Sequence, residues 1–173
     1  MSELNKYRYC PYDGSVLKPD ATAATCQPIC SRCGFVDYQN PKACVAILIT
    51  SHGKLLLARR GIEPAKGAWD IPGGFVEAGE SAEEAVVREA LEETILQVRV
   101  TEYLGSVPDV YGARQTPTLN LCYLADVVSG EPAPQSDVEA LVWFSMTELP
   151  KGMAFPHQTQ VIALLQERIR RHE

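Results

Sequence analysis

The chain has 173 residues, 46% hydrophobic and 22% charged, a balance that fills one medium-sized globular domain with a small appendage. No apolar run approaches the roughly 20 residues a membrane span needs, and the opening MSELNKYRYC lacks the apolar stretch of a secretory signal, so a cytoplasmic, membrane-free protein is expected. The net charge is −6 with no basic stripe to track a phosphate backbone, which argues against polymeric nucleic acid as a partner.

Residues 1–40 are polar and rich in turn formers, and they hold four of the six cysteines, Cys10, Cys26, Cys30 and Cys33. CPYDG and CSRCGF each read as a tight turn closed by glycine. In a cytosolic chain such clustering points to metal binding rather than to a disulfide framework. From Pro41 the character changes. ACVAILIT (43–50) and KLLLARR (54–60) are strand-like and are separated by Ser-His-Gly, a hairpin signal. GIEPAKGAWDIPGG (61–74) reads as loop. A helix follows, with Ser81 at its cap and Glu84 three residues on, the two ends of a capping box. LQVRVTEYLGSV (96–107), TLNLCYLADVV (118–128) and ALVWFSM (140–146) read as strands, and a last helix spans about 157–171 with Val161, Leu164, Leu165 and Ile169 at helical spacing. Cys44 and Cys122 stand alone inside apolar runs and are read as small buried hydrophobes. Strands with helices interposed predict an α/β fold, a mixed sheet covered on both faces.

The first helix carries the chemistry. The segment from Glu77 to Glu93 has seven glutamates and one arginine, Arg88, and so accounts for the whole net charge of −6. At about 100° per residue, Val87, Ala90 and Leu91 form an apolar sector expected to face the core. Glu89, Glu92 and Glu93 gather on the opposite side, on ground shared with Ala82, Ala85 and Val86. Like charges at these spacings each destabilise a helix by roughly 0.2–0.5 kcal/mol, and partial burial raises the carboxylates' pKa values unless a cation intervenes. Hard oxygen ligands suit Mg²⁺ or Mn²⁺. The wheel alone leaves two readings open: a cation site, or a solvated acidic helix in which Arg88 pairs with Glu84 and Glu92.

The spacing adds a resemblance. Gly74, five residues, Glu80, seven residues, then Arg88-Glu89-Ala90-Leu91-Glu92-Glu93 is similar to the Nudix signature, with Leu96 at its closing aliphatic position and Ile95 where the pattern has glycine. With NPKACVAILI, KLLLARR, GAWDIPGGFVEAGES and the Trp-Phe…Glu-Leu segment (143–149), the chain resembles Nudix hydrolases from residue 41 to about 165. The resemblance implies an α/β/α sandwich over residues 41–173 that uses Mg²⁺ or Mn²⁺ to cleave the pyrophosphate bond of a nucleoside diphosphate derivative. It implies metal ligation by Glu89, Glu92, Glu93 and the Gly73 carbonyl, with Arg88 orienting the cluster and Glu77 and Glu80 in structural roles. Asp137 and Glu139 are candidates for an additional ligand or base, or are simple loop acidity. Arg59, Arg60 and Arg114 are candidates for a distal phosphate, and Tyr111, Trp69 and Phe155 for stacking, though each reads more readily as an ordinary structural or surface residue. Ile95 predicts that the helix ends differently or runs on, because a β-branched residue disfavours the left-handed C′ conformation.

Cys30-Ser-Arg-Cys33-Gly resembles one half of a zinc ribbon, while Cys10-Pro-Tyr-Asp13-Gly is one thiolate short. Asp13 or Cys26 is the fourth ligand of a structural Zn²⁺, or the ribbon is degenerate and binds none. This zinc-ribbon-like module (1–40) resembles the one that precedes Nudix enzymes related to NADH and FAD pyrophosphatases, which implies NADH, FAD or ADP-ribose as substrate. The NADH-specific extension is not recognisable after the acidic helix. A nucleoside triphosphate pyrophosphohydrolase, a non-catalytic ligand sensor and a homodimeric assembly remain open.

Overall fold

In the computed structural model, which describes residues 7–19, 27–38 and 40–172, the chain divides into two units, Met1–Asn40 and Pro41–Glu173. The first is built on two matching turns. Gly14 N–H donates to the Cys10 carbonyl and Gly34 N–H to that of Cys30, at 3.0 and 2.9 Å, while Cys10 N and Cys30 N donate forward to Ser15 O and Phe35 O. Both glycines take positive φ, 72° and 77°, which closes each turn without a Cβ penalty. A two-residue ladder, β1 (Lys18–Pro19) with β2 (Pro28–Ile29), joins the halves around Cys10, Leu17 and Cys30. Cys26 lies outside the described residues.

The second unit is a mixed sheet between two helices. β3 (Lys42–Ser51), β4 (Lys54–Arg60), β5 (Trp69–Asp70), β6 (Gln97–Tyr111), β7 (Thr116–Ser129) and β8 (Val138–Ser145) run in the order β5-β4-β3-β7-β6, with β8 on β4. The β3–β7 pair is parallel and the other pairs are antiparallel. Helix α1 (Ala82–Thr94) covers one face and α2 (Gln158–His172) the other. Strand alternation sorts the side chains: Val45, Ile47, Ile49, Tyr123 and Ala125 join the α1 core, while Ala46, Leu48, Cys122 and Leu124 join the α2 core. Being covered on both faces, the central strands read as continuous apolar runs. Cys44 and Cys122 are buried, as expected of small hydrophobes, and burial pushes their thiols up to about 11 and about 12. Among the described residues no helix is long and apolar enough to cross a membrane.

Three local expectations change. Trp69–Asp70, expected as loop, forms β5 against Ala58 and Arg59, and Trp69 packs edge-on to Phe144 in the α2 core. The core face of α1 is Ala85, Val86, Ala90 and Thr94, whereas Val87 and Leu91, assigned to the core by periodicity, are 44% and 49% exposed. Small Ala85 and Ala90 let the helix lie close to the sheet, and the Gly73–Glu93 hydrogen bond fixes its rotation so that Val87 and Leu91 fall along an open groove beside Val98 and Val100.

The third concerns Ile95, which does take the left-handed cap conformation, φ 65° and ψ −2°, with its N–H donating to Leu91 O. Its surroundings impose this: Leu96 is fully buried and Leu96 N–H donates to Thr94 Oγ1. A left-handed non-glycine residue costs roughly 1–2 kcal/mol. Ile95→Gly relieves that cost at a half-exposed side chain, so thermal unfolding should shift upward by about 2–8 °C. An unchanged or lower midpoint would show that the isoleucine side chain contributes more than its backbone strain removes.

Candidate active site

The glutamate helix meets the turn Pro72-Gly73-Gly74 beside β3. This turn is fastened by Ile47 N–H to Pro72 O and Val45 N–H to Gly74 O, both 2.8 Å. Gly73, at φ 151°, has no room for a side chain: a Cβ there would overlap the Val45 carbonyl oxygen. At Gly74 a Cβ would occupy the place of the Glu89 carboxylate, whose Oε2 lies 2.8 Å from that position. The two glycines thus bring backbone and carboxylates together. Gly73 N–H donates to Glu93 Oε2 at 3.1 Å.

Arg88 ties the cluster from outside. Its Nε and Nη2 hold both Glu80 oxygens at 2.8 and 2.9 Å, Nη1 holds Glu89 at 2.8 Å and reaches Glu92 at 3.3 Å, and Nη2 also donates to Phe75 O. Glu80 in turn accepts from Glu77 N–H. These contacts, the Arg88 hydrogen bonds first, hold Glu80 down at about 2. Glu93 goes the other way. Burial, against the Gly73 N–H and with Asp137, Glu89 and Asp70 adding repulsion, pushes its carboxyl up to about 8. Burial raises Glu89 as well, opposed by Arg88. Glu93 meets Gly73 and Glu89 packs against Gly74, with the more exposed Glu92 on the same cleft, so the site gathers oxygen donors of the kind a hard divalent ion takes.

They line a cleft of about 530 Å³. Asp137 lines it too, whereas Glu139 faces out and lies 3.9 Å from Arg59. Arg60 borders the cleft but is committed to Asp70 at 2.6 Å and Pro64 O at 2.7 Å, with its guanidinium 5.2 Å from the Phe155 ring centre. Gln158 Nε2 donates to the other Asp70 oxygen. The cleft lining does not include Arg59, which binds Gly67 O, Arg114 on the β6–β7 turn, or Trp69. Tyr111 and Phe155 do line it, and Phe75, Asp109, Asn120 and His157 join them although sequence reasoning did not single these out. One signal for them was present: Val107, Asp109 and Tyr111 alternate in phase with the core face of β6, as Thr118 and Asn120 do on β7, and polar residues on a buried phase ask for a function.

In the first unit, one ligand atom each from Cys10, Asp13, Cys30 and Cys33 all lie within 4.8 Å of one another. The Cys10 and Cys33 sulfurs are 3.5 Å apart, and the Cys30 sulfur is 3.4 Å from Asp13 Oδ2. Asp13 is also held by Ser15 N–H at 2.8 Å, which first among its contacts lowers the carboxyl to about 2. Among the described residues, these three thiols and one carboxylate are a donor set that suits a tetrahedral zinc.

Comparison with known proteins gives the same direction. The NUDIX domain family model matches residues 39–165. An ADP-ribose pyrophosphatase of Methanocaldococcus jannaschii is 37% identical over 70% of this chain and 71% of its own length. A protein named NAD-capped RNA hydrolase from Pseudomonas aeruginosa is 38% identical over 70% of this chain, which spans only 42% of that relative. Among solved structures, a MutT NUDIX hydrolase of Burkholderia pseudomallei, 31% identical, superposes with a TM-score of 0.66 over 72% of this chain and 98% of its own. A NUDIX hydrolase of Nitrosomonas europaea, 24% identical, shares the fold over 92% of this chain and 88% of its own, with a TM-score of 0.72.

Proposed function

The chain belongs to the Nudix family and is a pyrophosphohydrolase, and from that premise we propose that it cleaves the pyrophosphate of an ADP-linked substrate, ADP-ribose or a dinucleotide such as NADH or FAD. The observation that carries this is the meeting of Glu89 and Glu93 with the Gly73–Gly74 turn, Glu92 beside them, at one part of a cleft lined elsewhere by Tyr111 and Phe155. The first end suits a pyrophosphate with its cations, the second a flat ring.

Glu89, Glu92, Glu93 and the Gly73 backbone would hold Mg²⁺ or Mn²⁺. When bound, such ions neutralise pyrophosphate charge and lower the pKa of a coordinated water. The protein's part is positional. Arg88 fixes Glu89 and Glu80 so that the carboxylates converge before substrate arrives, and Gly73 N–H orients Glu93. Asp137 lines the cleft and repels Glu93, so it is our candidate for accepting the proton of the attacking water; Glu139, paired with Arg59 outside the lining, is not. Tyr111 and Phe155 supply stacking surface, and Arg60 acts through Phe155 rather than on a phosphate.

The relatives named NAD-capped RNA hydrolases reopen polymeric RNA, which composition argued against, so a capped RNA belongs in the substrate panel. The test is Mg²⁺-dependent release of AMP from ADP-ribose, NADH and FAD, and of nicotinamide mononucleotide from an NAD-capped oligonucleotide, whose adenylate stays on the RNA 5′ end, with nucleoside triphosphates as controls. ADP-ribose or a dinucleotide should exceed every triphosphate in kcat/KM. Preference for a triphosphate would replace this reading with that of a triphosphate pyrophosphohydrolase, and ligand-induced melting shifts without any turnover would leave a sensor.

We also propose that Cys10, Asp13, Cys30 and Cys33 hold a structural zinc, which leaves no open position for catalysis. Purified protein should contain about one zinc per chain by atomic absorption, and Cys30→Ala should lose it while residues 41–173 keep Mg²⁺-dependent turnover. Zinc-free wild type would identify a degenerate ribbon.

A further inference from the structure

Asp137 reaches the cleft from residues 130–137, a segment between β7 and β8 that is neither helix nor strand. A side chain carried by such a segment is placed only as well as its backbone is held. Hydrogen bonds from two directions hold this one. On one side, Ala133 N–H donates to Thr94 O at 3.0 Å and Gln135 N–H to Glu93 O at 3.2 Å. These carbonyls end α1, where a helix has no partners of its own for them, and its last turn has no basic residue. The segment therefore caps α1, and its position is tied to the turn of helix that carries Glu92 and Glu93.

On the other side, Gly61 N–H donates to the Asp137 carbonyl at 2.6 Å. Gly61 directly follows β4, and β8 is irregular beside it. Arg59 pairs with Ala140 but Arg60 with Val138, so Glu139 is an extra residue on β8, and the bulge sets Asp137 against Gly61. The approach leaves no room for a side chain. A Cβ on Gly61 would stand 2.8 Å from the Asp137 carbonyl oxygen and 3.4 Å from its carbon, both backbone atoms. Gly61 is not among the glycines with positive φ, so contact and not backbone freedom calls for glycine here. Its own place is fixed by Gly67 N–H donating to Arg60 O at 2.8 Å and Arg60 N–H to Ala68 O at 3.0 Å. Asp137 and Glu93 then line one small cavity together.

We propose that Gly61 is a positioning residue: together with the cap on α1 it clasps the Asp137 backbone, so that the Asp137 carboxylate stands beside Glu93 before substrate arrives. This rests on the reading of Asp137 as the group that accepts the proton of the attacking water, and names what places it there. Gly61 does not itself line the cleft, so its effect on turnover passes through Asp137.

The test compares Gly61→Ala, Asp137→Asn and the double variant of the full chain, with Mg²⁺, on the best substrate of the panel above. Asp137→Asn should lower kcat by about 10²–10⁴-fold, the worth of a general base. Gly61→Ala must displace the Asp137 backbone, and should lower kcat by about 10–100-fold with KM changed less than about three-fold. In the Asp137→Asn background the same glycine substitution should cost less than about three-fold, because a group already removed cannot be misplaced. Equal losses in both backgrounds would make Gly61 a support of the fold at large and overturn the proposal. Unchanged kcat in Gly61→Ala beside a loss in Asp137→Asn overturns the clasp alone. Wild-type kcat in Asp137→Asn fells the proton-acceptor reading, and the proposal with it. Should Gly61→Ala not fold, amide hydrogen exchange of the wild type decides: without Mg²⁺ the Gly61 and Gln135 N–H groups should be protected about 10²-fold or more, and lower protection overturns the clasp.

Discussion

Glu93→Gln is expected to lower Mg²⁺-dependent kcat by about 10³-fold or more while the protein still folds, because even groups that merely support a metal ligand are worth about 10–100-fold. The amide keeps the size of the side chain and can still accept from Gly73 N–H, but it cannot carry the charge that a hard cation needs. A pH signature separates this role from a structural one. In the folded, metal-free protein the Glu93 carboxyl titrates at about 8, against an ordinary 4.5. The folded state therefore binds this proton more tightly than the unfolded chain. Its contribution to stability is fully present below about 4.5 and is lost as pH rises to about 8. Wild type in EDTA should lose melting temperature across that window, Glu93→Gln should lose less, and Mg²⁺ should flatten the wild-type slope by favouring the ionised form. Retained turnover in Glu93→Gln, or identical slopes for the two proteins, would remove Glu93 from the metal cluster.

The second large effect concerns backbone. Gly73→Ala is expected to destabilise the fold by more than about 4 kcal/mol, the range reserved for direct backbone collision or core disruption. At φ 151° the new Cβ would overlap the Val45 carbonyl oxygen and stand 3.0 Å from its carbon, and both atoms belong to the central strand. Val45 and its neighbours cannot give way, because Val45 N–H and Ile47 N–H are the anchors of the same turn. Urea denaturation should show the loss as a lower midpoint, or the variant should be recovered only in aggregates. A variant melting within about 2 °C of wild type would mean that the turn can be rebuilt without glycine.

Much of the fold was legible because it is local. The capping box at Ser81 and Glu84 forms as read, with Ser81 N–H donating to Glu84 at 2.8 Å and Glu84 N–H to Ser81 Oγ at 3.2 Å, and the strand runs fall where alternation and apolar length put them. The rotation of α1 was not legible. Hydrophobic period weighs Val87 and Leu91 as core residues because it knows nothing of the Gly73–Gly74 turn that pulls Glu89 and Glu93 inward. Ile95 misled for a related reason: intrinsic preference opposes φ 65°, but burial of Leu96 and its hydrogen bond to Thr94 override it.

The candidate site divides along the same line. The sequence by itself determined the acidic helix, its spacing from the double glycine and the two cysteine turns, since these are relations among residues a few positions apart on one element. Only the tertiary structure decided which remote groups join them. Asp137 enters the cleft and Glu139 does not, although regular alternation would put residues two apart on one face, because Asp137 lies in the turn before β8 and the β8–β4 register shifts between Val138 and Ala140, at Glu139. Asp109 and His157 stand 48 positions apart in the chain yet 2.7 Å apart in space, because β6 and the start of α2 share one side of the sheet. No local periodicity can state such a distance, for it is set by strand register and helix packing summed over the whole domain.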